Sequence, residues 1–345
     1  MEEFLMRGLV IEKPGVLRLR DDLPMPVIGD HQALCRNVAC GICNGTDLKL
    51  LTGGLRDFAR YPCVLGHEAV GEVIEVGAKV RSFHVGDRVL RSSLPDLPDV
   101  YSRWGGFAEY GVVDDYDACI ADGVPAHIDL STRQVIPADI DPVDAVMIIT
   151  LKEVAGALAR LGLRPGMDVA VVGCGPVGLA MVSLSRQMGA RRVVLAGHHE
   201  DRLRAAERLG ADAAFNTKQV DTVQALRSMF PQGLDLFIDC VGRAQIIDQG
   251  MQVVKEEGKI ALYGIGLHTG DRIDWDAAPY NFNIHSVQWP IARYERDAHD
   301  FVCSLVSEKK LDLREFVSHR LPVEAYAEGF ELVRSRAGRK VALVF

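Results

Sequence analysis

The chain has 345 residues, 48% of them hydrophobic and 25% charged, with 33 glycines, the make-up of two ordinary globular domains rather than of a disordered or fibrous protein. Acids outnumber bases by 47 to 39, a net charge of −8, and no long basic block interrupts them, which argues against nucleic acid and anionic membrane surfaces as partners. The acidic start at Met1-Glu2-Glu3 lacks a secretory pattern, no apolar run reaches bilayer length, and the cysteines form no dense framework, so they read as thiols or metal ligands of a cytoplasmic protein.

Up to about residue 148, short β segments alternate with Gly, Pro and Asp: Leu9–Ile11, Ala33–Cys35, Ala69–Val76, Arg88–Leu90 and Phe107–Val113. They predict an irregular, β-rich domain. From about residue 151 the pattern becomes strand and amphipathic helix in turn: strand 168–173, helix 177–188, strand 193–196, helix 201–209, strand 236–239, helix 246–254 and strand 259–263. This repetition predicts an α/β domain with a doubly wound parallel sheet. A helix over 296–307 and a closing strand over 340–345 are expected to return to the first domain, since the sheet has its strands without them. The expected division sets 1–148 with 285–345 against 149–284.

The strand Val169–Val172 runs into Gly173-Cys174-Gly175-Pro176-Val177-Gly178 and then an apolar helix. In that context the glycine spacing reads as a dinucleotide cradle. Gly173 allows the tight turn, Gly175 lets backbone approach a pyrophosphate, and Gly178 lets helix pack on strand. Pro176, Val177 and Gly178 open the helix, whose free N–H groups and dipole attract phosphate. An acid normally closes the next strand and holds the ribose 2′-hydroxyl. Here Gly197 stands at that place, followed by His198, His199 and Arg202, a set suited to a 2′-phosphate and hence to NADP, with NAD the lesser expectation. Alternatively the histidines are exposed loop residues and Glu200 or Asp201 takes the ribose.

In the first domain, Gly41-Ile42-Cys43-Asn44-Gly45-Thr46-Asp47 is followed by Gly66-His67-Glu68 and later by Gly86-Asp87-Arg88-Val89. Cys, His and a carboxylate are good zinc ligands, and a catalytic zinc uses three with one position open. These motifs, with the glycine loop and the final strand, resemble the zinc-containing medium-chain alcohol dehydrogenases along essentially the whole chain, and among them the polyol (sorbitol-type) dehydrogenases. The resemblance implies a GroES-like catalytic domain split around a Rossmann cofactor domain, and one catalytic Zn2+ per subunit on Cys43, His67 and Glu68, with Glu68 either ligand or neighbour. It also implies that Asp47 orients the His67 ring, that Thr46 passes the alcohol proton towards solvent, and that the subunits assemble as a homodimer or homotetramer.

The sequence departs from the family pattern in three places. Asn44 and Gly45 both intervene where relatives have one residue, no cysteine lies between Arg88 and Phe107 to build a second, structural zinc site, and Ile149 replaces the acid or cysteine of relatives. Lys152 and Glu153 lie three and four residues beyond Ile149, on its face if the segment is helical. Glu153 then contacts zinc-bound water and Lys152 accepts a proton if burial favours its neutral form, or the two are a solvated pair at a helix start. The expected activity is hydride transfer between NADP(H) and a secondary alcohol or ketone of a polyol, cyclitol or sugar-like substrate. A zinc-free quinone or enone reductase of the same fold and a noncatalytic NADPH-binding protein are the alternatives.

Overall fold

Residues 4–55, 60–266 and 271–345 are described in the computed structural model; Met1–Glu3, the head of the N-terminal segment discussed above, lie outside the described residues. Two compact units divide the chain: residues 1–150 with 299–345, and residues 151–298.

The first unit begins with an antiparallel hairpin of β1 (Leu5–Lys13) and β2 (Val16–Pro24), in which Leu9, Val10 and Ile11 are fully buried. Then come β3 (Gln32–Ile42), α1 (Thr46–Thr52), β4 (Cys63–Val64), β5 (Glu68–Val76), β6 (Arg88–Leu90), β7 (Tyr101–Ser102), β8 (Tyr110–Asp114) and α2 (Tyr116–Ala121). One sheet has the order β2-β1-β4-β7; in the other, β3 pairs antiparallel with β5 and β8, and β5 with β6. The long run of β3 is buried at Ala33, Leu34, Cys35, Ala39, Cys40 and Ile42, which fixes this strand at the centre of its sheet.

The division falls inside α3 (Val146–Arg160). Beyond it come β9 (Asp168–Val172), α4 (Pro176–Gln187), β10 (Arg192–Gly197), α5 (Glu200–Arg208), β11 (Ala213–Asn216), α6 (Thr222–Met229), β12 (Leu234–Asp239), α7 (Ala244–Met251), β13 (Val254–Leu262) and β14 (Asn283–Ser286). They form one six-stranded sheet, order β11-β10-β9-β12-β13-β14, parallel throughout. Every residue of β9 is buried, as a central parallel strand covered on both faces requires.

The second crossing between units differs from the expected one. β14 joins the parallel sheet beside β13, and α8 (Ala292–Asp297) stays with that unit, so the boundary lies at 298/299 instead of 284/285. The helix expected over 296–307 is two, α8 and α9 (His299–Ser307), parted at Ala298. The chain then adds β15 (Val317–Pro322), α10 (Tyr326–Arg334) and β16 (Lys340–Val344) to the first unit. β16 runs antiparallel to β3 with Ala342 opposite Gly41, while Gly41 faces Glu68 on β5. That register sets Lys340 and Glu68 on either side of one glycine. Among the described residues no helix is long and apolar enough to cross a membrane.

Candidate metal centre and dinucleotide loop

Cys43 follows the end of β3, and His67 and Glu68 stand where the chain enters β5. Their ligand atoms, a sulfur, a ring nitrogen and a carboxylate oxygen, lie within 4.8 Å of one another, the reach of a single metal ion. Among the described residues this is the one such group. Asp47, fully buried, accepts the Cys43 N–H through Oδ2 at 2.8 Å and turns Oδ1 towards His67 Nδ1 at 3.6 Å. The other ring nitrogen, Nε2, lies 4.0 Å from Glu68 Oε1. Burial works against an imidazolium here, but Asp47 and Cys43 outweigh it and hold the His67 pKa well above its ordinary value. The same negative groups, Asp47 and Cys43, favour a cation beside the ring. Buried Asp47 Oδ1 and His67 Nδ1 have no hydrogen-bond partner, the ring thus being aimed but not tied. The donor set of thiolate, imidazole and carboxylate fits zinc.

Three other cysteines of this unit do not compete. Burial pushes the thiols of Cys35 and Cys63 up to about 12 and that of Cys40 well above its usual range, so they remain protonated core residues.

Glu68, with 2% of its surface exposed, is clamped from beyond the cluster. Lys340 Nζ donates to Oε1 and Oε2, both at 2.6 Å, and Thr150 Oγ1 donates to Oε1 at 3.0 Å. Oε1 thus accepts from two donors and Oε2 from one, which leaves Oε2 a further lone pair for a metal. Burial lowers the Lys340 pKa, but the charges of Glu68, Cys43 and Asp47 reverse this and raise it, so the ammonium stays charged. Gly41 makes the clamp possible, because a Cβ there would stand 2.4 Å from Glu68 Oε2 and 3.3 Å from Lys340 Cδ. Trp104 borders the cluster, its ring centroid 5.1 Å from that of His67, and holds a left-handed φ of 68°.

Thr150 and Lys340 are the residues that sequence reasoning passed over. A lysine heading an otherwise apolar strand, Lys340-Val-Ala-Leu-Val, was the available signal. Thr46 is the half-buried first residue of α1, with Gly45 at its N-cap. Ile149 is buried and offers no donor atom. Lys152 and Glu153 lie on the part of α3 that belongs to the second unit; Lys152 is fully buried, which removes the reading of a solvated pair.

In the second unit, β9 ends directly in the glycine loop. Gly173 has φ +113°, and a Cβ on Gly178 would stand 1.7 Å from Gly173 O, so both positions exclude any side chain. Over Gly175 nothing lies within 4 Å of a built Cβ, and no side chain caps the N-terminus of α4, where Pro176 and Val177 begin the helix. The result is an open cradle with free N–H groups, which fits a pyrophosphate.

Gly197 ends β10. His198 and His199 follow, half-buried, their rings 4.4 Å apart, with His199 at the N-cap of α5. Arg202 sits in the first turn of α5 and is buried, with 6% of its surface exposed. Glu200, the alternative ribose ligand, accepts a hydrogen bond from Asn216 Nδ2 at the end of β11.

A β-rich unit with a Cys-His-Glu cluster and a parallel sheet with a glycine loop at a helix N-terminus are the two parts of a metal-binding, nicotinamide-linked oxidoreductase. Residues 29–123 match the alcohol dehydrogenase GroES-like domain and residues 176–290 the zinc-binding dehydrogenase domain, together more than half of the chain. The sorbitol dehydrogenase of Ovis aries is 28% identical over 97% of this chain and 95% of its own. The L-threonine 3-dehydrogenase of Bacillus subtilis is 28% identical over 100% of both. Among solved structures, the alcohol dehydrogenase of Thermus sp. ATN1 superposes with a TM-score of 0.78 at 26% identity, covering 98% of this chain and 99% of that one. The chain belongs to the zinc-containing medium-chain alcohol dehydrogenase family.

Proposed function

We propose that this dehydrogenase transfers a hydride between NADP(H) and a secondary alcohol or ketone of a polyol, cyclitol or sugar-like substrate. The observation that carries the reading is the convergence of Cys43, His67 and Glu68 within 4.8 Å, a carboxylate-containing donor set in a chain with sorbitol dehydrogenases among its relatives. When bound, zinc supplies Lewis-acid polarisation of the substrate oxygen and the nicotinamide supplies or accepts the hydride.

The chain's own residues divide the remaining work. Cys43, His67 and Glu68 would hold the metal, Asp47 aims the imidazole through its Nδ1 side, and Lys340 with Thr150 sets the carboxylate of Glu68. Thr46 passes the alcohol proton towards solvent. Lys152 is the proton acceptor, with Glu153 beside it in sequence. The backbone of Gly173, Gly175, Pro176, Val177 and Gly178 receives the pyrophosphate.

The preference for NADP(H) rests on Gly197, which offers no carboxylate to a ribose hydroxyl, and on the cationic groups of His198, His199 and Arg202 that follow it. The engagement of Glu200 by Asn216 supports the same choice. We place the protein in a reducing compartment, the cytoplasm, since none of its eight cysteines forms a disulfide. We further propose a homodimer or homotetramer, supported by β14, an outer strand of its sheet that exposes Ile284.

The test is kcat/KM for NADP+ and NAD+ with a panel of open-chain polyols, cyclitols and sugars. Oxidation of a secondary alcohol in that panel with NADP+ preferred is expected. Turnover confined to other substrates, or a preference for NAD+, would overturn the corresponding half of the reading.

A further inference from the structure

Gly197 is buried at the end of β10, and its carbonyl accepts the Thr217 N–H at 2.7 Å. A Cβ built on it would stand 2.5 Å from Cys174 Sγ, 2.7 Å from Cys174 Cβ and 3.5 Å from Cys174 N. The first two distances are far inside carbon–sulfur and carbon–carbon contact, so one of the two residues would have to move. Swinging the thiol to another rotamer removes the first contact and leaves the second. The backbones have no slack either: Gly173 N–H donates to Ala196 O at 2.8 Å, and Gly178 is pressed against Gly173 O. Cys174 itself is buried, with 4% of its surface exposed.

We propose that Cys174 is a cofactor-specificity residue. By filling the space over the strand end it holds position 197 as glycine, and so keeps a carboxylate away from the place where one would bind an unphosphorylated ribose. The cofactor class this favours is a dinucleotide carrying a 2′-phosphate. The inference deepens, and rests on, the NADP(H) preference proposed above. The choice of cofactor belongs to the pair Cys174 and Gly197 rather than to Gly197 alone, and adding an acid at 197 without shortening 174 strains the loop instead of switching its preference.

The experiment is a double-mutant cycle on the full chain: wild type, Cys174→Gly, Gly197→Asp and Cys174→Gly/Gly197→Asp. Two quantities are read, the Tm without cofactor and the Kd of NADPH and NADH from their own fluorescence. Gly197→Asp alone is expected to lose several degrees of Tm and to bind both cofactors more weakly. The paired variant is expected to recover most of that Tm and to bind NADH at least about tenfold more tightly than Gly197→Asp does. Should Gly197→Asp fail to fold, Gly197→Ala with and without Cys174→Gly reads the same coupling in Tm.

Additive Tm changes, or NADH binding by Gly197→Asp as tight as by the pair, would overturn the role of Cys174. Equal wild-type affinity for NADH and NADPH would instead overturn the preference it rests on, and with it the specificity role, even where the Tm coupling is present. The two failures are therefore distinguishable.

Discussion

Replacing Lys340 by Met keeps most of the apolar stem of the side chain and removes the charge that faces Glu68. Both Lys340 Nζ–Glu68 distances are 2.6 Å, and the two residues are 3% and 2% exposed, so water cannot replace the ammonium. Removing one partner of a buried pair costs about 3–5 kcal/mol. Thr150 Oγ1 donates to the carboxylate with or without the ammonium, so its bond cancels from the difference. A loss of about 3–5 kcal/mol is expected in the first unit under chelating conditions. The loss should shrink with saturating zinc, because a divalent cation then faces the same carboxylate. Trp104 is the first unit's tryptophan, the others being Trp275 and Trp289, so urea unfolding followed by its emission in a Trp275→Phe/Trp289→Phe background isolates that unit. The double variant Glu68→Gln/Lys340→Met should recover most of the loss, because it removes both charges of the pair together. A loss below about 1 kcal/mol, or one that zinc and the double variant both leave unchanged, would refute the assignment of Lys340 as the counter-charge of Glu68.

Other outcomes follow from the same geometry. His67→Ala should lose zinc and turnover while NADPH affinity stays within a few-fold, since the glycine loop is built in the other unit; near-normal turnover would contradict the metal role. Lys152→Met should keep its zinc and lose about 10²-fold in turnover if the lysine accepts the proton, and a rate within a few-fold of wild type would leave Lys152 a packing residue. Asp168 is pushed up by burial, but hydrogen bonds from Arg191 and Arg192 prevail and lower its pKa to about 2 from 3.8. A pKa depressed on folding stabilises the fold above the unfolded value and ceases to do so as pH falls through the folded one. The stability difference between wild type and Asp168→Asn should therefore be constant above pH ~5, at no more than about 2 kcal/mol, and fade between about pH 4 and pH 2. A difference that grows on acidification would refute it.

The glycine loop was legible because its chemistry is local: Gly173, Gly175 and Gly178 sit between a buried strand that ends in four apolar residues and an apolar helix, and neighbours in sequence are neighbours in space. The metal cluster was legible only through resemblance, since Cys43 lies 24 residues before His67 and nothing in that interval dictates their meeting. The clamp on Glu68 was not legible. Lys340 is 272 residues from Glu68 and Thr150 is 82, and only the pairing of β16 with β3 brings the first of them in. β14 escaped for a different reason: Asn283-Ile-His-Ser has an almost wholly exposed pattern, so an edge strand that owes its place to backbone pairing leaves no apolar signature. β11 and its four half-buried residues escaped likewise. At Gly197 the missing acid was visible in the sequence, but its contact with Cys174, 23 positions away, depends on the register of β9 and β10.

The most direct test of the central assignment is a titration of zinc into chelator-stripped protein, with bound metal measured by elemental analysis and NADPH formation from a polyol measured on the same samples. The expected result is turnover that rises with zinc and reaches its plateau at one equivalent per subunit. Full turnover in stripped protein, or a plateau reached only at two equivalents, would contradict it.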